Sequence, residues 1–265
     1  MTIWAVANQK GGVGKTTTVA SLGSLLALQG KPTLIVDMDP HGSLTTYFGQ
    51  DPDTISSSIY TIFQKIDRSP NSAIFSALNK TDYDNLYILP ASTAMATLDR
   101  QLGAQSGKGL IINKTLKHLG NRFSNIIIDC PPMLGILMIN ALAACDQLLI
   151  PVQTEFLALK GLEHMLHTLG MINHSRKQGL PFLIMPTMFD PTIRSSLESL
   201  RMLHDKYQDG VWNGVIPVDN QFRDVSKLGI PLPVMNQYAP GALAYSALLQ
   251  HLQHTINDLH KLPHV

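Results

Sequence analysis

The stretch Gln9-Lys10-Gly11-Gly12-Val13-Gly14-Lys15-Thr16-Thr17 constrains this chain more than any other. It follows an apolar run, Ile3 to Ala7, that reads as a buried strand, and it precedes Thr18 to Leu28, whose apolar spacing suits a helix packed on a sheet. Strand, glycine loop and helix together form the setting that a phosphate-cradling loop needs. Glycine has no Cβ to block the tight turn, so successive backbone N–H groups point inward at an anion. The helix behind the loop aims its positive end at the same anion. In such a loop Lys15 reaches the β- and γ-phosphates of a nucleotide, and the Thr16 hydroxyl ligates Mg²⁺.

The common form of this loop begins with a glycine where this chain has Gln9, and here a second lysine, Lys10, stands inside the loop. Lys10 to Thr17 is therefore a deviant Walker A loop, and it resembles that of the ParA/MinD family of P-loop ATPases. The resemblance implies ATP and Mg²⁺ as cofactors. It also implies Lys10, Gly11, Gly12, Val13, Gly14, Lys15, Thr16 and Thr17 as nucleotide-binding residues.

Further strands read at Lys31–Asp37, Leu86–Pro90, Asn125–Asp129, Gln147–Val152, Phe182–Met188 and Val211–Ile216. Helices read at 43–48, 55–66, 73–78, 93–102, 110–119, 155–174, 194–207 and 241–259. Strands that are apolar throughout and alternate with helices predict an α/β fold: a doubly wound, mostly parallel sheet with helices on both faces. Without a repeat or a low-complexity linker, residues 1–265 read as a single domain. The charge of +1 creates no global demand for nucleic acid or anionic lipid. Cys130 and Cys145 read as buried small residues of a reducing cytosol. Met1 runs straight into the first strand and no apolar run nears bilayer length, so the expected location is cytoplasmic.

Ligands of an open parallel sheet bind beyond the carboxyl ends of the strands, where Asp37, Asp39 and Asp129 all fall. Asp129 closes Ile-Ile-Ile-Asp, a Walker B form, and is expected to hold Mg²⁺ through a water. Asp39, in Asp-Met-Asp-Pro, resembles the family's second acidic motif, which implies a catalytic carboxylate that orients the attacking water beside the metal. Asp37 reads as a supporting partner of the metal site. Thr16, Asp39 and Asp129 are thus the metal-side residues, and Lys10, Lys15 and Asp39 the catalytic ones. Lys15 already serves the phosphates of its own subunit. The resemblance assigns Lys10, on a loop facing outward, to the ATP of a second copy, where a cation supplied in trans can raise phosphoryl transfer by ~10³–10⁵.

The resemblance extends to Asp-Cys-Pro-Pro at 129–132, to 151–162, to 187–190 and to 216–227. By family position, Pro217 and Asp219 contact the adenine. Two departures stand out: His41 replaces the usual Gln after Asp-x-Asp-Pro, and Val218-Asp219 replaces a common Arg-Asn.

Family members use the ATP dimer to hold a surface, nucleoid or membrane. The closing helix has an apolar stripe (Leu248, Leu249, Leu252, Ile256, Leu259), but its polar face carries His251, His254, Asp258 and His260, with Lys261 its one permanent positive charge. It therefore reads as docked on the sheet, with no membrane insertion. Between 181 and 230 acids balance bases, whereas Lys108, Lys114, Lys117 and Arg122 have no acid among them. Non-specific DNA is left open as a partner on that basis. The motif set looks closest to the ParC-type ParA proteins that place chemotaxis arrays at cell poles. That implies a homodimer with ATP, a polar protein cargo, and a partner that stimulates slow hydrolysis or anchors the protein at a pole. The alternatives are a plasmid or chromosome partitioning ATPase, which is nucleoid-associated, and a metabolic P-loop enzyme such as an amidoligase. Paired histidines at helical spacing (164/167 and 251/254) read as polar helix faces rather than metal ligands.

Overall fold

The computed structural model describes residues 1–102, 107–173 and 179–261, except for the side chains of 99 and 256–261. Its strands are β1 (Thr2–Val6), β2 (Thr33–Asp37), β3 (Asn79–Lys80), β4 (Leu86–Leu89), β5 (Asn125–Asp129), β6 (Gln147–Gln153) and β7 (Phe182–Thr187). Its helices are α1 (Lys15–Leu28), α2 (Ser43–Tyr47), α3 (Ile59–Lys65), α4 (Pro70–Ala77), α5 (Leu98–Leu102) and α6 (Ile111–Leu119). After these come α7 (Ile136–Ala144), α8 (Phe156–Asn173), α9 (Arg194–Tyr207), α10 (Gln221–Leu228), α11 (Leu232–Met235) and α12 (Pro240–Lys261).

The strands form one seven-stranded sheet in the order β3-β4-β2-β5-β1-β6-β7, and every neighbouring pair is parallel except β3 on β4. The doubly wound sheet expected from the sequence is the one found. Register aligns Val6 with Asp129, and Asp129 with Asp37, so the loop after β1 and two carboxylates leave the sheet at one level.

Alternation along the strands divides the core between two faces. Ile3, Ala5, Leu34, Val36, Ile126 and Ile128 face the layer of α3 to α8. Trp4, Val6, Ile35 and Ile127 face α1 and α12, whose Leu22, Leu26, Leu248, Leu249 and Leu252 are buried against them. The closing helix is therefore docked through this stripe, while the side chains of Ile256, Asp258, Leu259, His260 and Lys261 are not described.

Several local readings need correction. Val211–Ile216 is not a strand: Val211 makes an isolated bridge to Ile184 of β7, Pro217 makes another to Phe189 just past the end of β7, and the segment between them loops out. Gly214 lies against the Trp212 ring, where a Cβ would come within 2.3 Å of the indole. The run Phe182–Met188 ends one residue early because Met188 takes φ +52° and leaves the extended region. Helices α7, α10 and α11 and the two-residue β3 form where no element was expected. His174, placed at the end of a helix from the sequence, lies outside the described residues.

Candidate functional site

The glycine loop is held on both sides by buried polar groups. Asn8 donates from Nδ2 to Pro151 O at 2.8 Å and accepts at Oδ1 from the Lys10 N–H at 3.0 Å, which fixes the loop's entry to β6. Thr187 Oγ1 donates to Val13 O at 3.0 Å, so the end of β7 turns that carbonyl away from the cradle. Gly14 caps α1 at φ +97°, a left-handed conformation that favours glycine. No side chain caps α1, so its first N–H groups are left for an anion.

Lys15 is 8% exposed and donates from Nζ to Lys10 O at 3.1 Å. Burial lowers its pKa, while the nearby Asp129 and Asp39 oppose that shift. Thr16 Oγ1 donates to Asp129 Oδ2 at 2.7 Å. Burial, and then the neighbouring Asp37, pushes the Asp129 carboxyl well above the usual range. Its other oxygen, Oδ1, is buried without a hydrogen-bond partner. An orphaned carboxylate oxygen beside a threonine hydroxyl is the donor set of a hard divalent cation, so the residues present fit Mg²⁺. Such an ion supplies charge that neutralises the phosphates.

Asp37 is fully buried and acts on neighbouring backbone. Its Oδ2 accepts from the Thr45 N–H and Oγ1 at 2.8 and 2.7 Å, and its Oδ1 accepts from the Asp39 N–H at 3.1 Å. Burial, against these hydrogen bonds, raises its pKa to about 6. Asp39 is partly exposed, and its Oδ1 accepts from the His41 N–H at 3.0 Å and pairs with His41 Nδ1 at 2.8 Å.

The structure thus gathers Lys10, Lys15, Thr16, Asp37, Asp39 and Asp129 around one loop. Lys10, expected to face outward, bends back in this single chain: its Nζ donates to Gln153 Oε1 at 2.8 Å and ion-pairs with Glu155. Pro217 and Asp219 lie at the β7 edge of the sheet, where Pro217 bridges to Phe189. The Asp219 carboxylate joins two helices there, accepting from the Gln221 N–H at 3.0 Å and the Gly241 N–H at 3.1 Å. Asn8, Gln153, Glu155, Thr45 and Thr187 were not singled out from the sequence. Gln153 and Glu155 stood within a segment resembling the family, but nothing in it pairs them with a residue so far upstream.

The basic run is less free than its sequence suggests. Asp67 comes against Lys108 and Lys114 at 2.7 and 3.3 Å, supplying the acid the run itself lacks. On α9, Arg194 pairs with Glu198 and Lys206 with Glu163. Cys130 and Cys145 are both buried. Among the described residues no helix is long and apolar enough to cross a membrane.

Residues 1–182 match a family model described as an AAA domain. The chain is 32% identical over 244 residues to the sporulation initiation inhibitor protein Soj of Bacillus subtilis, covering 92% of this chain and 94% of Soj. It is 34% identical over 251 residues to the chromosome partitioning protein ParA of Myxococcus xanthus, covering 93% and 86% of the two chains. Among solved structures it is similar to cobyrinic acid a,c-diamide synthase from Mycobacterium smegmatis with bound ATP analog and magnesium. That similarity has a TM-score of 0.82 at 33% identity and covers 96% of this chain and 94% of the other.

Proposed function

The chain belongs to the ParA/MinD family of P-loop ATPases, and from that premise we propose that it is a dimerising switch that positions or partitions intracellular cargo. Two copies close on ATP, and hydrolysis releases them. Lys15 and the loop amides hold the phosphates, Thr16 and Asp129 hold Mg²⁺, and Asp39 orients the attacking water. Asp37 holds the backbone on which Asp39 sits. Pro217 forms the adenine side of the site, with Asp219 in the same loop.

The observation that carries this reading is the pair of lysines in one loop. Lys15 is buried and committed to its own cradle. Lys10 keeps 30% of its side chain exposed and holds an acid that a partner's phosphate can replace. A cation not needed in cis is available in trans, and there it would stabilise charge developing on the transferred phosphoryl group. Turnover is then slow in the single chain and rises when a protein partner acts on the dimer. In light scattering with ATP and Mg²⁺ the Asp39→Ala protein should run as a dimer. The Lys10→Ala/Asp39→Ala protein should bind ATP and stay monomeric, and a dimer formed by it would overturn the reading.

For the cargo we propose a polar chemotaxis array, on the resemblance of the loop, Asp-Pro-His and Asp-Cys-Pro-Pro segments. Relatives named for chromosome partitioning favour DNA segregation as the second reading. For that reading Arg223 and Lys227 lie exposed on α10, whereas Asp67 interrupts the Lys108–Arg122 run. Pull-down with the ATP-locked protein separates the two: chemotaxis or pole-anchoring proteins for the first, a centromere-binding protein for the second. The name of the M. smegmatis structure favours an amidoligase instead. Two cavities, of about 330 and 370 Å³, open near Gln50–Lys80 and Ser24–Asn85, and no glycine-loop residue lines either. Turnover stimulated by an organic acid and an amide donor, rather than by a protein, would favour the amidoligase.

A further inference from the structure

The backbone of the turn that carries Asp39 is held at several points. The Asp39 N–H donates to Asp37 Oδ1 at 3.1 Å, and Asp39 O accepts from the Gly42 N–H at 2.9 Å. Gly42 itself sits at φ +63° with Pro52 against it, where a Cβ would come within 2.5 Å of the proline ring. With Asp37 held in turn by Thr45, the backbone from 37 to 42 has little freedom. What remains free is the pair of side-chain torsions of Asp39.

His41 removes that freedom. Both its main-chain N–H and its ring meet the same oxygen, Asp39 Oδ1, at 3.0 and 2.8 Å. A carboxylate oxygen only accepts, so ring Nδ1 is the donor. Oδ1 is then committed and Oδ2 is the atom left for a water. The side chains of Asp39 and His41 are 16% and 81% exposed, so the imidazole lies over the carboxylate from the solvent side.

From this geometry we propose that His41 is a positioning residue for ATP hydrolysis: it fixes the rotamer of Asp39 so that one carboxylate oxygen faces the attacking water. The inference rests on the role given to Asp39 above. It accounts for the departure at this position, since the donor that matters is one bond beyond Cγ, where histidine carries Nδ1. Asparagine carries Nδ2 at the same number of bonds from the backbone, whereas glutamine places its amide one carbon further out.

The test is steady-state ATP turnover, ATP affinity and thermal midpoint for Asp39→Ala, His41→Ala, His41→Asn and His41→Gln. Releasing the rotamer lowers the fraction of productive geometry, so His41→Ala should reduce kcat by about threefold to tenfold. KM and thermal midpoint should hold near native values. His41→Asn should restore kcat, and His41→Gln should restore less of it. Native kcat in His41→Ala, with Asp39→Ala inactive, would overturn this inference and leave the site reading standing. So would a loss in His41→Ala that His41→Asn fails to restore. Native turnover in Asp39→Ala would overturn the site reading and this inference with it.

Discussion

Lys10 ends on Glu155 of its own chain, 145 residues along, with Gln153 Oε1 2.8 Å from the same ammonium. The cation that would reach across a dimer is therefore already engaged at home, and closing on ATP means exchanging a carboxylate for a phosphate. Both partners are partly exposed, at 30% and 50%, so each pair is worth only ~0.2–1 kcal/mol. A dimer breaks two such pairs. Glu155→Gln, in the Asp39→Ala background, should then tighten the ATP-dependent dimer by about twofold to thirtyfold. Sedimentation at graded protein concentration measures this, and an unchanged or weaker dimer would show that Glu155 does not compete for Lys10.

Thr45 links the acidic turn to the sheet. Its hydroxyl donates to Asp37 Oδ2 at 2.7 Å and accepts from the Ala91 N–H at 2.8 Å, both buried. Valine keeps the shape and loses both bonds, leaving a buried amide unpaired. Thr45→Val should cost about 1–3 kcal/mol in urea unfolding. A loss well below that range would mean that water replaces the hydroxyl.

Asp37 also predicts a pH dependence. Burial raises its carboxyl from the usual 3.8 to about 6. The folded chain therefore binds this proton more tightly than the unfolded one, and the stability it contributes is complete below about pH 4 and lost as pH rises through about 6. Exposed carboxylates such as Asp67 and Asp190, held low by their hydrogen bonds, act in the opposite sense. The informative quantity is the difference between native and Asp37→Asn proteins without nucleotide. The native thermal midpoint should fall relative to Asp37→Asn between about pH 4 and pH 6. A flat or rising difference would contradict the buried-carboxyl account.

The central strands were legible because Ile126–Ile128 and Leu34–Val36 are buried on both faces and so apolar without interruption. The site was legible where chemistry follows strand ends, as at Asp37 and Asp129. Val211–Ile216 was misread because its apolar residues imitate a strand, while the packing of Gly214 on Trp212 breaks the ladder. Helix α7 escaped notice because Ile136–Ala144 is apolar at every position but Asn140 and shows no period. Glu155 and Asp67 were invisible for a different reason: each meets its lysine across a long stretch of chain, through the fold, and no local pattern encodes that.

The most direct measurement of the shared-nucleotide account is turnover in a mixture of Lys10→Ala and Asp39→Ala proteins, each inactive alone. A mixed dimer holds one complete site: ATP on the Lys10→Ala chain, with that chain's own Asp39 and the partner's Lys10. Lys10 acting in trans predicts that mixing restores a fraction of native ATP hydrolysis. A mixture as silent as its two components would show that Lys10 serves only its own chain, or that the two copies never share a nucleotide.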